Sequence, residues 1–192
     1  MRGRQAFCVV RPALLLITAL MRLLPRFVVE SAYSFASHLN GRLGVGLRWA
    51  LARRLCAALG DNVFLGPRIE VRGWGEIRVG DNVSIHDACF IDGRGGLTIG
   101  NDVSIAHQCS LVSFEHGWSD ESRPIRDNPV EYRPITIADD VWVGCGTRIL
   151  AGASIGTRCI IAAGAVIVRD VPAYSLAGGV PAKVIGSTRR DT

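Results

Sequence analysis

Between Leu65 and Ile167 the aliphatic residues recur at every sixth position. The series runs Leu65 and Val71, slips by two residues to Val79, Ile85 and Ile91, and slips by two again to Ile99, Ile105 and Leu111. A twenty-residue interruption follows, and the count resumes in step at Ile137, Val143, Ile149, Ile155, Ile161 and Ile167. All fourteen positions are Leu, Ile or Val. A period of six is neither the 3.6 of a helix nor the two of a half-buried strand, so the pattern predicts a solenoid of short stacked strands. Three hexads closed into a triangular coil give coils at 65/71/79, 85/91/99, 105/111/137 and 143/149/155, with 161/167 opening a fifth. Each coil then lays three aliphatic side chains on the coil beneath, about 4.8 Å away. At about 1.5 to 3 kcal/mol for each buried side chain, that stack is the core. Every inserted stretch falls between the second and third hexads, so all three loops leave one corner, the place where a rigid repeat carries binding chemistry.

The chain divides accordingly. Residues 1–60 form a basic, apolar and mostly helical N-terminal segment, residues 61–170 the solenoid with an active-site loop at 113–134, and residues 171–192 a C-terminal extension containing Pro172 and Pro181. Within the first segment, Ala13 to Leu20 is apolar but is bounded by Arg11, Pro12, Arg22, Pro25 and Arg26. That run is too short to cross a bilayer, and its Arg-interrupted flanks do not suit a signal peptide. From Val28 to Leu59 the pattern is helical, with Leu47, Leu51, Leu55 and Leu59 on one face beside Arg48, Arg53 and Arg54. Two compatible readings follow: an amphipathic segment leaning on anionic lipid through residues 1–56, or a cap over the otherwise exposed end of the solenoid core.

The net charge of +5 is unevenly placed: residues 1–56 carry nine Arg and one Glu, whereas the remainder holds thirteen basic and sixteen acidic residues. Basic character confined to one segment argues against nucleic acid as a partner. Six Cys show no CxxC pair or Cys/His metal spacing. Cys89 and Cys109 occupy equivalent places in adjacent coils, near enough for a disulfide, but reduced thiols are expected in a chain with no other sign of an oxidising compartment. No metal site is expected either. His86 and His107 are 21 residues apart, out of step by about one residue, and alternate residues of a strand point to opposite faces.

Polar chemistry concentrates in the long loop, which holds His116, Trp118, Asp120, Glu121, Arg123, Arg126 and Asp127. An imidazole there, beside carboxylates that could orient it and near Asp92 or Arg94 of the coil below, suits a general base taking a proton from an attacking hydroxyl. Cys145 and Ala163, eighteen residues apart, stack just after the inward-facing Val143 and Ile161. Small side chains stacked in this way leave a shallow groove of exposed backbone for an extended ligand arm, with Arg169 and Lys183 beyond it to meet phosphates. Small residues also suit tight coils, and spacing alone leaves that reading open. No glycine-rich phosphate loop competes for the role.

Several motifs in order then carry a resemblance: Val141-Trp-Val-Gly144, Ile155-Gly156, Ala162-Ala-Gly-Ala-Val-Ile-Val-Arg-Asp170, Val171-Pro172 and Gly179-Val-Pro-Ala-Lys-Val-Ile185, preceded by a His-bearing loop. Over residues 61–186 the chain resembles the hexapeptide-repeat acyltransferases, in the branch that contains maltose and galactoside O-acetyltransferases and the acetyltransferases of surface polysaccharide biosynthesis. The resemblance implies a left-handed parallel β-helix, a homotrimer with active sites between subunits, and acetyl-CoA as donor without a metal. It implies His116 as the base, Cys145, Ala163, Val168, Arg169 and Lys183 as cofactor contacts, and Trp142 and Asp92 at the acceptor. Cys145 and Val168 stand where small hydroxyl residues are common in that family, and Phe-Glu-His-Gly-Trp replaces its His-Pro pattern. The basic apolar start, unlike the short acidic domain of the maltose type, favours a cytoplasmic enzyme in peripheral contact with the inner membrane, acetylating a sugar of a surface glycan. Competing readings are an acetyltransferase for a small acceptor such as a free sugar, serine or antibiotic, a metal-dependent carbonic anhydrase-like lyase of the same fold, and a non-catalytic scaffold.

Overall fold

The structure, a computed structural model, describes residues 3–189. Three helices, α1 (Gly3–Met21), α2 (Arg26–Ala36) and α3 (Gly41–Leu55), precede a solenoid of short parallel strands. The fourteen hexad positions fall into three columns. Leu65, Ile85, Ile105, Val143 and Ile161 pair in register along the first face. Val71, Ile91, Leu111, Ile149 and Ile167 do so along the second. Val79, Ile99, Ile137 and Ile155 form the third, which Leu59 and Val171 extend at its two ends. All but Val71 are buried, and Val71, in the first coil, is half-buried. The parallel solenoid is therefore the architecture that the six-residue period requires, and the three-helix segment precedes it.

Corners are held by backbone geometry as well as by packing. Where the third face turns into the first, Asn62, Asn82, Asp102, Asp140, Arg158 and Tyr174 all adopt φ between 54° and 62°. Asn and Asp tolerate this left-handed region better than most residues, which accounts for their prominence in this column. Beside them, side chains climb from coil to coil: Asp81 accepts from the Asp61 amide at 2.7 Å, Asn101 from Asp81 at 2.8 Å and Asp139 from Asn101 at 2.6 Å.

The helices cover the open end of the first coil, with Trp49, Leu51 and Leu55 of α3 and Val29 and Tyr33 of α2 in one continuous core with the solenoid. Two details differ from the helical reading of residues 28–59. The helix stops at Leu55, and Leu59 belongs to the first solenoid strand, Ala58–Leu59, where its side chain enters the third column. Arg48, grouped in sequence with surface arginines, is 1% exposed. Its guanidinium donates to the Leu65 carbonyl at 2.7 Å, to Ala36 at 3.0 Å and to Leu39 at 2.6 Å. The last carbonyls of a helix have no partner within it, and Arg48 satisfies those around the end of α2 while tying α3 to the first coil. Arg48→Leu removes three hydrogen bonds, taking this donor from the Leu65 and Leu39 carbonyls while Ala36 keeps the Leu39 amide, and is expected to cost about 3 kcal/mol, read as a lower urea midpoint; an unchanged midpoint would contradict this role. Among the described residues, no helix is long and apolar enough to cross a membrane.

Candidate active site

The long loop leaves the corner between the second and third faces, above the short loops of coils one and two. It opens as an antiparallel hairpin, Phe114–His116 against Val130–Tyr132, with His116 opposite Val130. Asn128, buried in the loop, closes the tip: its amide donates to the carbonyls of Asp120 and Pro124 at 3.2 Å each and its oxygen accepts from the Asp120 amide at 3.1 Å. The loop is thus a built structure that can hold a side chain in place. Asn128 gave no signal in the sequence beyond its polarity.

Beneath the hairpin lies Asp92, whose carboxylate is fully buried. Arg94 grips it with both ends of the guanidinium, at 2.9 Å from Nε to Oδ1 and 2.8 Å from Nη2 to Oδ2. The fork-to-fork geometry fixes the guanidinium plane, which lies over the Phe114 ring at 4.6 Å. The Phe114 ring in turn meets the His116 ring edge-on at 6.3 Å between centroids. Asp92, Arg94, Phe114 and His116 therefore form one supported column, and Asp92 reaches the loop through Arg94. Ser113, also buried, pins the neighbouring backbone: its hydroxyl donates to the Asp92 carbonyl at 2.8 Å and accepts from the Gly95 amide at 2.8 Å.

Among the described residues no carboxylate orients His116. Glu115 pairs with Arg133, Asp120 with Arg123 and with the Ser122 hydroxyl, and Asp127 with Arg126. The Ser122 hydroxyl and amide hold the Asp120 carboxyl below its ordinary range. His116 makes no hydrogen bond among the described residues, and its ring is exposed.

Cys145 and Ala163 occupy a different corner, between the first and second faces, where Gly164 donates to the Cys145 carbonyl at 2.8 Å. The residue after each is a glycine in the left-handed region, Gly146 at φ 69° and Gly164 at φ 71°. Earlier coils place Arg68, Ala88 and Gln108 at the same turn with φ from 56° to 60°. Glycine relieves the strain there, but its second effect is spatial: a Cβ added at Gly164 would meet nothing within 4 Å. The last two coils therefore present bare backbone to solvent where the earlier coils carry side chains. These glycines, also eighteen apart, are the groove residues that the sequence reading passed over. Lys183, exposed on the C-terminal hairpin, lies opposite Gly178 on the strand that continues the first face.

Val168 and Arg169 are exposed at the end of the second face, at the His116 corner, and Trp142 stands on the outer surface of the first face, 55% exposed. One chain thus unites Asp92 and His116 with the corner of Val168 and Arg169, and it unites Cys145 and Ala163 with the Lys183 hairpin. It does not unite the two sets, which flank the second face, nor does it bring Trp142 to either. Among the described residues no three His, Cys, Asp or Glu side chains cluster as a metal ion would need.

Comparison with known proteins agrees with this geometry. Residues 134–169 match the bacterial transferase hexapeptide (six repeats). A hexapeptide-repeat-containing acetyltransferase of Vibrio cholerae, solved with acetyl coenzyme A, superposes with a TM-score of 0.76 at 28% identity over 85% of this chain and 87% of that one. A galactoside acetyltransferase in complex with coenzyme A does so with a TM-score of 0.76 at 27% identity, over 85% of this chain and 80% of that one. A probable acetyltransferase of Mycobacterium tuberculosis is 36% identical over 77 residues, 40% of this chain and 26% of that protein. The match spans only about a quarter of that curated relative. The chain thus carries the hexapeptide repeat over residues 134–169, on a fold that it shares with hexapeptide-repeat acetyltransferases.

Proposed function

We propose that this protein is an O-acetyltransferase that moves an acetyl group from acetyl-CoA to a sugar hydroxyl, at sites shared between neighbouring subunits of a homotrimer. The observation that carries the reading is the separation of the two site halves. A base-bearing loop and a bare backbone groove flank one face of the same chain, and a second copy offers the simplest way to bring a loop to a groove.

In this reading the pantetheine arm lies along the groove at Cys145 and Ala163, where Gly146 and Gly164 keep side chains out of its way. Lys183 of the same chain, and Val168 and Arg169 brought by the neighbouring subunit with its His116 corner, contact the rest of the donor, the two cations matching its phosphates. Trp142 walls the pocket. His116 takes the proton of the acceptor hydroxyl as that oxygen bonds to the acetyl carbonyl carbon; the carbon–sulfur bond then breaks and the proton passes to the leaving thiolate. Exposed backbone amides offset the charge on the carbonyl oxygen. Asp92 acts through Arg94, whose remaining donors are free for sugar hydroxyls. With the donor attacked directly, none of the six cysteines serves as a nucleophile. The acceptor class proposed is a glycan under assembly for the cell surface, on the strength of the basic, apolar N-terminal segment.

Titration calorimetry with acetyl-CoA, run beside light scattering for mass, tests the donor and assembly together. Micromolar binding at one site per chain of a trimer is expected. A folded protein that takes up no acetyl-CoA would overturn the reading.

A further inference from the structure

Helix α1 is apolar on both sides. Its inner stripe, Phe7, Leu14, Thr18 and Met21, packs towards the core: the Phe7 ring meets Trp49 edge-on at 5.2 Å, and the Thr18 hydroxyl donates to the Ala50 carbonyl at 3.2 Å. Its outer stripe keeps helical spacing through Val9, Ala13, Leu16 and Leu20, and continues through Leu23 into Phe27 of α2. Exposure along it is 71% at Val9, 64% at Leu16, 53% at Leu20, 82% at Leu23 and 70% at Phe27. A helix apolar all round is one that expects cover on both sides, and a contiguous exposed apolar strip marks an interaction surface. From Val10 the apolar surface runs on into a cleft of about 810 Å³ lined by Phe7, Leu14, Val45 and Phe64, with Arg42 among its lining residues.

Charge identifies the cover. Arg22 and Arg42 are exposed and make no ion pair among the described residues. Before Asp61 the chain has a single acidic residue, Glu30, and Arg26 occupies it at 2.9 Å. A second copy laid on this face would set like charges against each other, whereas anionic headgroups would meet the arginines while the stripe enters the acyl boundary.

We propose that the outer face of α1, with Leu23 and Phe27, seats the protein on an anionic phospholipid surface. It does so as an interfacial helix lying in the headgroup plane, independently of what the catalytic site transfers. Insertion supplies the hold, and Arg22 and Arg42 supply the preference for negative lipid.

Flotation of the full chain with vesicles tests this at about 0.15 M salt, where the Debye length is about 8 Å. The protein is expected to rise with vesicles of phosphatidylcholine and phosphatidylglycerol and to remain below with phosphatidylcholine alone. Leu16→Glu with Leu20→Glu changes only exposed positions, so the circular dichroism and oligomer mass stay as they were while flotation is lost. Arg22→Glu with Arg42→Glu is expected to weaken binding by about thirtyfold or more. Failure of the unaltered protein to float with anionic vesicles, equal flotation on neutral ones, or flotation unaffected by the Leu16 and Leu20 changes would overturn the proposal. So would a concentration-dependent rise in mass, abolished by those changes, in a protein that never floats.

Discussion

His116→Ala is expected to lower kcat by about two to four orders of magnitude, the usual contribution of a positioned general base, while acetyl-CoA binding stays as it was. The two effects separate because of where the side chain stands. His116 is exposed, makes no hydrogen bond among the described residues, and meets the Phe114 ring edge-on. Its removal therefore takes little from the fold: the Asn128 clasp and the hairpin ladder are untouched. The groove residues lie at another corner, so donor affinity has no reason to change. Steady-state rates across a panel of glycoside acceptors, with calorimetry on the same samples, measure both quantities. A rate at the unaltered level would remove His116 from the chemistry, and loss of donor binding in step with the rate would make it a binding residue instead.

Ala163→Trp is the complementary change, expected to weaken acetyl-CoA binding by about a hundredfold, or ~2.7 kcal/mol. Ala163 is exposed and lies outside the left-handed turn that Gly164 occupies, so an indole can be carried there without backbone strain. Ile161, two residues earlier, holds the core, and the pairing of Val143 with Ile161 is independent of what stands at 163. The indole would instead fill the space that the bare backbone of Gly146 and Gly164 leaves open. Calorimetry with acetyl-CoA reads the loss, and a thermal midpoint near that of the unaltered protein shows that the coil is intact. Unchanged affinity would mean that the donor does not use this groove.

These expectations rest on features that differed in how far the sequence revealed them. The coil register was fully legible, because each of the fourteen aliphatic positions must stack on its equivalent and any slip would turn a column to solvent. The common corner of the three loops followed from the same count. Leu59 was not legible as a strand residue: a two-residue strand carries no pattern of its own, and four-residue spacing from Leu55 imitates a helix face. Arg48 showed nothing to separate it from Arg53 and Arg54, since its burial depends on where the carbonyls of Leu39 and Leu65 come to lie. Around His116 the loop's composition marked the place but not the partners. Its acidic neighbours are drawn to arginines and to Ser122, and the support it receives is aromatic, from Phe114 held under Arg94. Asp92 carried a visible charge but not its depth, which is set by the coil above closing over it.

A composite site between subunits is tested most directly by mixing the two variants. Chains with His116→Ala keep a groove and lack the base; chains with Ala163→Trp keep the base and lack the groove. Co-expressed with different tags and purified as mixed trimers, they are expected to recover roughly a third of the unaltered acetyl-CoA-dependent activity, because any mixed ring has one interface that joins an intact loop to an intact groove. Mixed trimers of confirmed composition with no activity beyond that of the two parents would contradict the account and confine loop and groove to separate roles.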